Sequence, residues 1–153
     1  MCLTLALVMS MALVSKVESQ ASSDAAIIDG SYLLHTDESI GYDTKITRGE
    51  DLMTGYSKSV RLGPGQLYAG GTTIASHTVN EVGVAVIVER AQEGDTEWTY
   101  YDSWEKFNEN ADRVSSNRTM DVEGGYYYRV RCVHSAGSDM SSSFTDGVFI
   151  EDP

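Results

Sequence analysis

The sequence predicts an all-β protein, an antiparallel β-sandwich held together without a disulfide. Three observations predict it. Apolar residues recur at every second position in two segments, Val82-Val84-Val86-Val88 and Tyr126-Tyr128-Val130-Cys132, which is the period of a strand with one face in a core. Turn-forming residues separate the candidate strands at short spacing, at Gly63-Pro64-Gly65, Gln92-Glu93-Gly94-Asp95, Gly124-Gly125 and Ser135-Ala136-Gly137-Ser138-Asp139. The chain holds 14 Gly but only 2 Pro, a balance that suits many strands joined by turns.

The elements follow in chain order. Residues 3–14 carry no charge. A run of about twelve residues is too short to cross a bilayer, which needs about 20, but it has the length of a signal-peptide core. Small residues follow at Ser19 and Ala21, so residues 1–21 are expected to be a signal peptide cleaved after Ala21. No Lys or Arg precedes the apolar run, so the true start is expected to lie further upstream. Residues 22–47 are irregular and acidic, with Asp24, Asp29, Asp37, Glu38 and Asp43 among sparse apolar residues. They are expected to form a flexible leader. The β-sandwich domain is expected over residues 48–153.

Within that domain, residues 66–76 are a strand candidate rich in Thr and Gly, and residues 82–89 are the valine strand. Residues 98–104 place Trp98, Tyr100, Asp102 and Trp104 on one face. Residues 114–122 follow, with Val114, Met120 and Val122 in phase. Between them, Trp104, Phe107 and Ala111 have helical spacing, and a strand end followed by a loop fits that segment as well. The last strands are expected at 126–135 and 143–150.

Charge and cysteine usage narrow the class. Lys and Arg total 11 against 23 Asp and Glu, a formal net charge of -12. Phosphate backbones and anionic membrane surfaces need clustered cations, so nucleic acid and such membranes are excluded as partners. Cys2 lies in the expected signal, which leaves only Cys132 in the mature chain. No internal disulfide can form, and the exported domain must rest on its own core.

The segment Tyr126-Tyr127-Tyr128-Arg129-Val130-Arg131, followed by Ala136-Gly137-Ser138, resembles the penultimate strand and last loop of fibronectin type III and immunoglobulin-like modules. The resemblance implies an immunoglobulin-like or fibronectin-III-like antiparallel sandwich. It also implies that one of these tyrosines is a corner residue whose hydroxyl returns to the backbone. A longer succession looks like a family of small secreted proteins of Gram-positive bacteria known only as a domain of unknown function. It runs through Arg48-Gly49, Gly70-Gly71-Thr72-Thr73, the 82–90 strand, Trp98, Ser103-Trp104, Gly125-Tyr126-Tyr127-Tyr128, His134 and Thr145-Asp146-Gly147. That resemblance implies export and a β-sandwich, and it implies no activity.

Chemical sites are sparse. His35, His77 and His134 lie far from one another and, apart from His134, far from Cys132, so no metal spacing exists and no cofactor is expected. The acidic groups Asp37, Glu38, Asp43 and Glu93, Asp95, Glu97 do not follow a calcium-loop pattern. Cys132 and His134 share a strand face about 7 Å apart, within side-chain reach, but Cys132 falls in phase with core residues, where thiols pack rather than react. Aromatics cluster in the second half. Trp98, Trp104, Tyr126 and Tyr128 are expected in the core. Tyr101 and Tyr127 have the opposite phase and are the candidate ligand-binding residues on an exposed surface. The expected function is a secreted, non-catalytic binding module for a glycan or a protein at or beyond the cell surface, with no integral membrane segment in its mature form. The alternatives are a secreted hydrolase, built on carboxylates or on Cys132 and His134, and a secreted antagonist of competing bacteria.

Overall fold

The computed structural model describes residues 25–45 and 49–153, and every regular element among them is a strand. The expected signal peptide lies outside the described residues. The strands are β1 (Ile27–Ile28), β2 (Ser31–Leu34), β3 (Glu38–Tyr42), β4 (Thr44–Lys45), β5 (Leu52–Gly63), β6 (Gln66–Ala91), β7 (Thr99–Asp121), β8 (Tyr126–Ala136), β9 (Asp139–Phe144) and β10 (Gly147–Ile150). All ten belong to one mixed sheet, in which β10 runs parallel to β2.

β6 is the spine. One edge pairs with β7 along nearly the whole strand. The other edge pairs with β5 over its first half and with β8 over its second. The β6–β7 register slips between Ile74 and Val79, and just past that slip Asn110 of β7 takes a φ of 49°. Both strands bend back there, as bulged strands do. The halves of the sheet then face each other. Thr73 Oγ1 donates to the Gly83 carbonyl at 2.8 Å, and Trp104 Nε1 donates to Ser116 Oγ at 3.0 Å, each across the fold. The result is a sheet curled into a half-barrel.

The curl encloses the core. Leu67 and Ala69 face Val82, Val84, Val86 and Val88, with Val114, Tyr128, Val130, Cys132, Val148 and Ile150 around them. The alternation of valines and of β8 residues therefore marks the buried face as expected. Tyr128 is wholly buried, while Trp104 and Tyr126 pack against the same core half-exposed. The Tyr128 hydroxyl donates to the Glu123 carbonyl at 2.5 Å, so one of the three tyrosines returns its hydroxyl to the backbone.

The inner positions of β5 are small and polar: Gly55, Ser57 and Ser59. They make room for His134. Its Nδ1 pairs with Thr73 Oγ1 and its Nε2 with Ser143 Oγ, both at 2.7 Å, and Ser143 Oγ pairs with Ser57 Oγ at 2.5 Å. A Cβ on Gly55 would run into the His134 ring. Gly55→Ala is therefore expected to cost about 1–3 kcal/mol, the usual range for overpacking, read as a lower urea midpoint at unchanged slope.

Four expectations need correction. Residues 27–45 are not a flexible leader. They form β1 to β4, with β3 paired to β5, β2 to β10 and β4 to β9. Asp29 and Gly30 turn β1 into β2 with φ of 47° and 77°, the positive values a two-residue hairpin turn requires. Such short strands carry too little periodicity to be read alone, because distant strands supply their partners. Residues 102–113 are strand, since the β6 edge offers a ladder that overrides helical spacing. The candidate strands at 66–76 and 82–89 are one continuous β6. The last strand is two, β9 and β10, broken where Thr145 exchanges bonds with Val130 through its backbone N–H and its hydroxyl.

Candidate binding site

Tyr101 and Tyr127 do not form an exposed surface. Tyr127 points to the outer face of β8, as its phase requires, but that face is covered. The ring is 6% exposed among Ile28, Leu33, Ala91, Trp98 and Phe149, and its hydroxyl pairs with His35 Nε2 at 3.0 Å. Burial pushes the Tyr127 hydroxyl pKa above its ordinary value. Tyr101 fails for another reason. Val88 pairs with Asp102 and Glu89 with Tyr100, so Tyr101 is the extra residue of a bulge. The bulge turns it inward, edge-on to Tyr128 at 5.4 Å between ring centroids, with Arg90 over its face.

An exposed aromatic, Tyr42, lies elsewhere, with the half-buried Tyr56 and Tyr68 on the same face. The register across β3, β5, β6 and β7 sets three rows on the outer face of the first sheet half. One row is Tyr42, Tyr56, Thr72 and Ser115; the next is Ile40, Lys58, Gly70 and Asn117; the third is Glu38, Val60, Tyr68 and Thr119. Tyr42 is 71% exposed, and its ring lies 6.1 Å from that of Tyr56, tilted by 56°. Thr72 Oγ1 and Ser115 Oγ share a hydrogen bond at 2.7 Å, and Lys58 pairs with Glu38 at 3.2 Å. Gly70 lacks a side chain in the middle row, and the Asn117 side chain closes over it. The four strands span roughly 14 Å at about 4.8 Å per step, and successive rows lie about 7 Å apart.

This face has a definite chemical character. Phenol rings offer flat apolar surface with a polar edge. Hydroxyls, an amide and one ion pair surround them. Tyr42 was hidden from sequence reading because its segment lacks periodicity. Tyr56 was hidden because the buried alternate positions of β5 are serine and glycine rather than apolar. The available signal was the alternation Tyr56, Lys58, Val60 against Ser57, Ser59.

The chemistry of an enzyme is poorly served. Cys132 and His134 do share the inner face, but both are buried. Burial drives the Cys132 thiol up to about 12, against a smaller opposing effect of Ser57, and drives the His134 imidazole down to about 4. Both His134 nitrogens are occupied by Thr73 and Ser143 rather than by sulfur. Thiol labelling of folded protein is expected to be negligible and to become complete only on denaturation, as mass spectrometry would read.

A second cluster joins Asp51, His77 and Ser76. His77 Nε2 lies 2.9 Å from Asp51 Oδ1, and His77 Nδ1 lies 3.0 Å from Ser76 Oγ. The Ser76 hydroxyl donates to the Glu50 carbonyl at 2.5 Å. The Ser76 proton is thus committed to the Glu50 carbonyl, whereas a nucleophile would hand it to its base. The cluster ties the start of β5 to the bend of β6. Among the described residues, no group of three His, Cys, Asp or Glu side chains could hold a metal ion. Comparison of the chain with models of protein families, with curated proteins and with solved structures finds no match.

Proposed function

We propose that this chain is a secreted, non-catalytic binding module that recognises a glycan at or beyond the cell surface through the outer face of β3, β5, β6 and β7. One observation carries the reading: Tyr42, Tyr56 and Tyr68 stand on one sheet face, in register with hydroxyl, amide and ammonium groups. Sugar rings present apolar C–H faces and polar hydroxyl rims, and that alternation matches stacked phenols set among short polar side chains. A protein partner would call for a more continuous apolar centre than the middle row provides, where the exposed Ile40 is followed by Lys58, Gly70 and Asn117.

The domain is read as an immunoglobulin-like sandwich module. The facing sheet halves and the Tyr128–Glu123 corner bond support that reading. Export, in the manner of the small Gram-positive family it resembles, is supported by the uncharged residues 3–14.

A glycan array probed with the wild-type chain, Tyr42→Ala and Tyr56→Ala tests the proposal. The wild type is expected to retain at least one class of glycan, and each variant to bind it about tenfold more weakly or worse, equivalent to about 1.4 kcal/mol, with an unchanged circular dichroism spectrum. Retention of no glycan, or equal binding by both variants, rejects it.

A further inference from the structure

On the other half of the sheet, the outer face of β6 and β8 sinks into a cleft of about 390 Å³ beneath the loop of residues 92–98. The volume lies within the range of small-molecule sites, about 300–1,000 Å³. Glu89 and Arg129 form the floor, Trp98 one wall, and Asp29, Glu97 and Arg131 the rim. Arg129 is spent on structure. Its Nε donates to Glu89 at 2.7 Å, one terminal nitrogen to the Asp29 carbonyl and to Ser31 Oγ, each at 3.1 Å, and the other to the Asp29 carboxylate at 2.9 Å. The guanidinium also stacks on Trp98, 4.8 Å from the ring centroid.

Arg131 is different. Among the described residues it gives a single bond, to Glu89 Oε1 at 3.1 Å, and its side chain is 44% exposed. A guanidinium carries five N–H donors in a planar fork, so most of the Arg131 fork opens on the cleft. Asp29 and Glu97 are also exposed at the rim. Asp29 commits one carboxylate oxygen to Arg129 and leaves the other open, and Glu97 lies on the loop.

The charge balance decides the ligand. Three carboxylates face two guanidinium groups, one negative charge in excess, on a chain of net charge -12. A plain carboxylate anion would meet Arg131 but would be repelled by the rim and by the whole protein. A plain cation would leave the Arg131 fork unanswered. We propose that the cleft binds a zwitterion, a free amino acid or short peptide. Its carboxylate docks on the Arg131 fork, its ammonium lies against Asp29 and Glu97, and its apolar part rests on Trp98. Two parallel N–H···O bonds favour the carboxylate on arginine. This site is separate from the tyrosine face and does not depend on it.

Calorimetric titration of the full chain with L-alanyl-L-alanine tests this, with N-acetyl-L-alanyl-L-alanine and L-alanyl-L-alanine amide as the two singly charged controls. The dipeptide is expected to bind, and each capped form to bind at least about tenfold more weakly. Arg131→Gln and Glu97→Gln are each expected to weaken the dipeptide by a similar factor, while Tyr42→Ala leaves it unchanged. Should Arg131→Gln fail to fold, Glu97→Gln on the exposed loop carries the same readout. No dipeptide binding at millimolar concentration, or capped forms binding as well as the parent, overturns the proposal. Loss of glycan binding with dipeptide binding intact would reject only the reading of the tyrosine face.

Discussion

Replacing Arg129 with methionine is expected to destabilise the folded chain by about 3 kcal/mol or more, the range found when one partner of a buried ion pair is removed. Arg129 is 2% exposed and sits opposite Glu89, itself 9% exposed, as its cross-strand neighbour. Without the guanidinium, one Glu89 oxygen and Ser31 Oγ lose a donor inside a desolvated site. An unmade bond there costs more than the made bond contributes. Arg131 still holds the other Glu89 oxygen, but from a half-exposed position, so it offsets little. Urea denaturation checks this through the shift in midpoint. The Arg129→Met/Glu89→Leu double variant is expected to recover part of the loss, because it removes the stranded carboxylate as well. A single variant that loses less than about 1 kcal/mol, the value of an exposed pair, would show that the network is not desolvated in solution.

Acidification is expected to weaken the fold between pH 6.5 and 4 through His134. Burial is the main cause of its lowered pKa, against a smaller opposing effect of Asp43. The unfolded chain takes up a proton on this imidazole near its ordinary 6.5, whereas the folded chain does so only near 4. Between those values the unfolded state binds more protons, so stability is full above pH 6.5 and falls as the pH drops toward 4. At about 1.4 kcal/mol per pH unit, the loss approaches 3 kcal/mol. Glu151 acts lower on the scale, because its hydrogen bond to Arg61 holds its carboxyl down to about 2. Urea titrations at half-unit pH steps are expected to show the decline in wild type and a flatter profile in His134→Asn. Equal slopes in the two proteins would remove His134 as the cause.

Much of the fold was legible in the residues, and the limit of legibility has a physical origin. The valines of β6 and the Tyr126-to-Cys132 alternation announce their buried face because core packing rewards apolar groups on one side of a pleat. The turns at 63–65 and 92–95 announce themselves through residues that accept unusual backbone angles, and Gly65 and Gly94 take φ of 67° and 94°. The candidate site was not legible in the same way. Tyr127 was assigned to the correct face, yet that face is roofed by β1, β2 and Phe149 from distant parts of the chain. Tyr101 was assigned by counting alternate residues, and a single bulge reverses the count. Tyr42, Tyr56 and Tyr68 belong to three different strands, and only cross-strand register makes them neighbours.

By themselves, the amino acids determined an all-β chain, its strongest strands, its turns and the burial of Cys132. Those properties rest on local periodicity and backbone preference, which each segment carries within itself. The tertiary structure alone decided the curl of the sheet, the burial of Arg129 and His134, and the assembly of tyrosines on one outer face. Those depend on pairings between residues up to a hundred positions apart, and no local pattern encodes which distant strand will come to lie beside it.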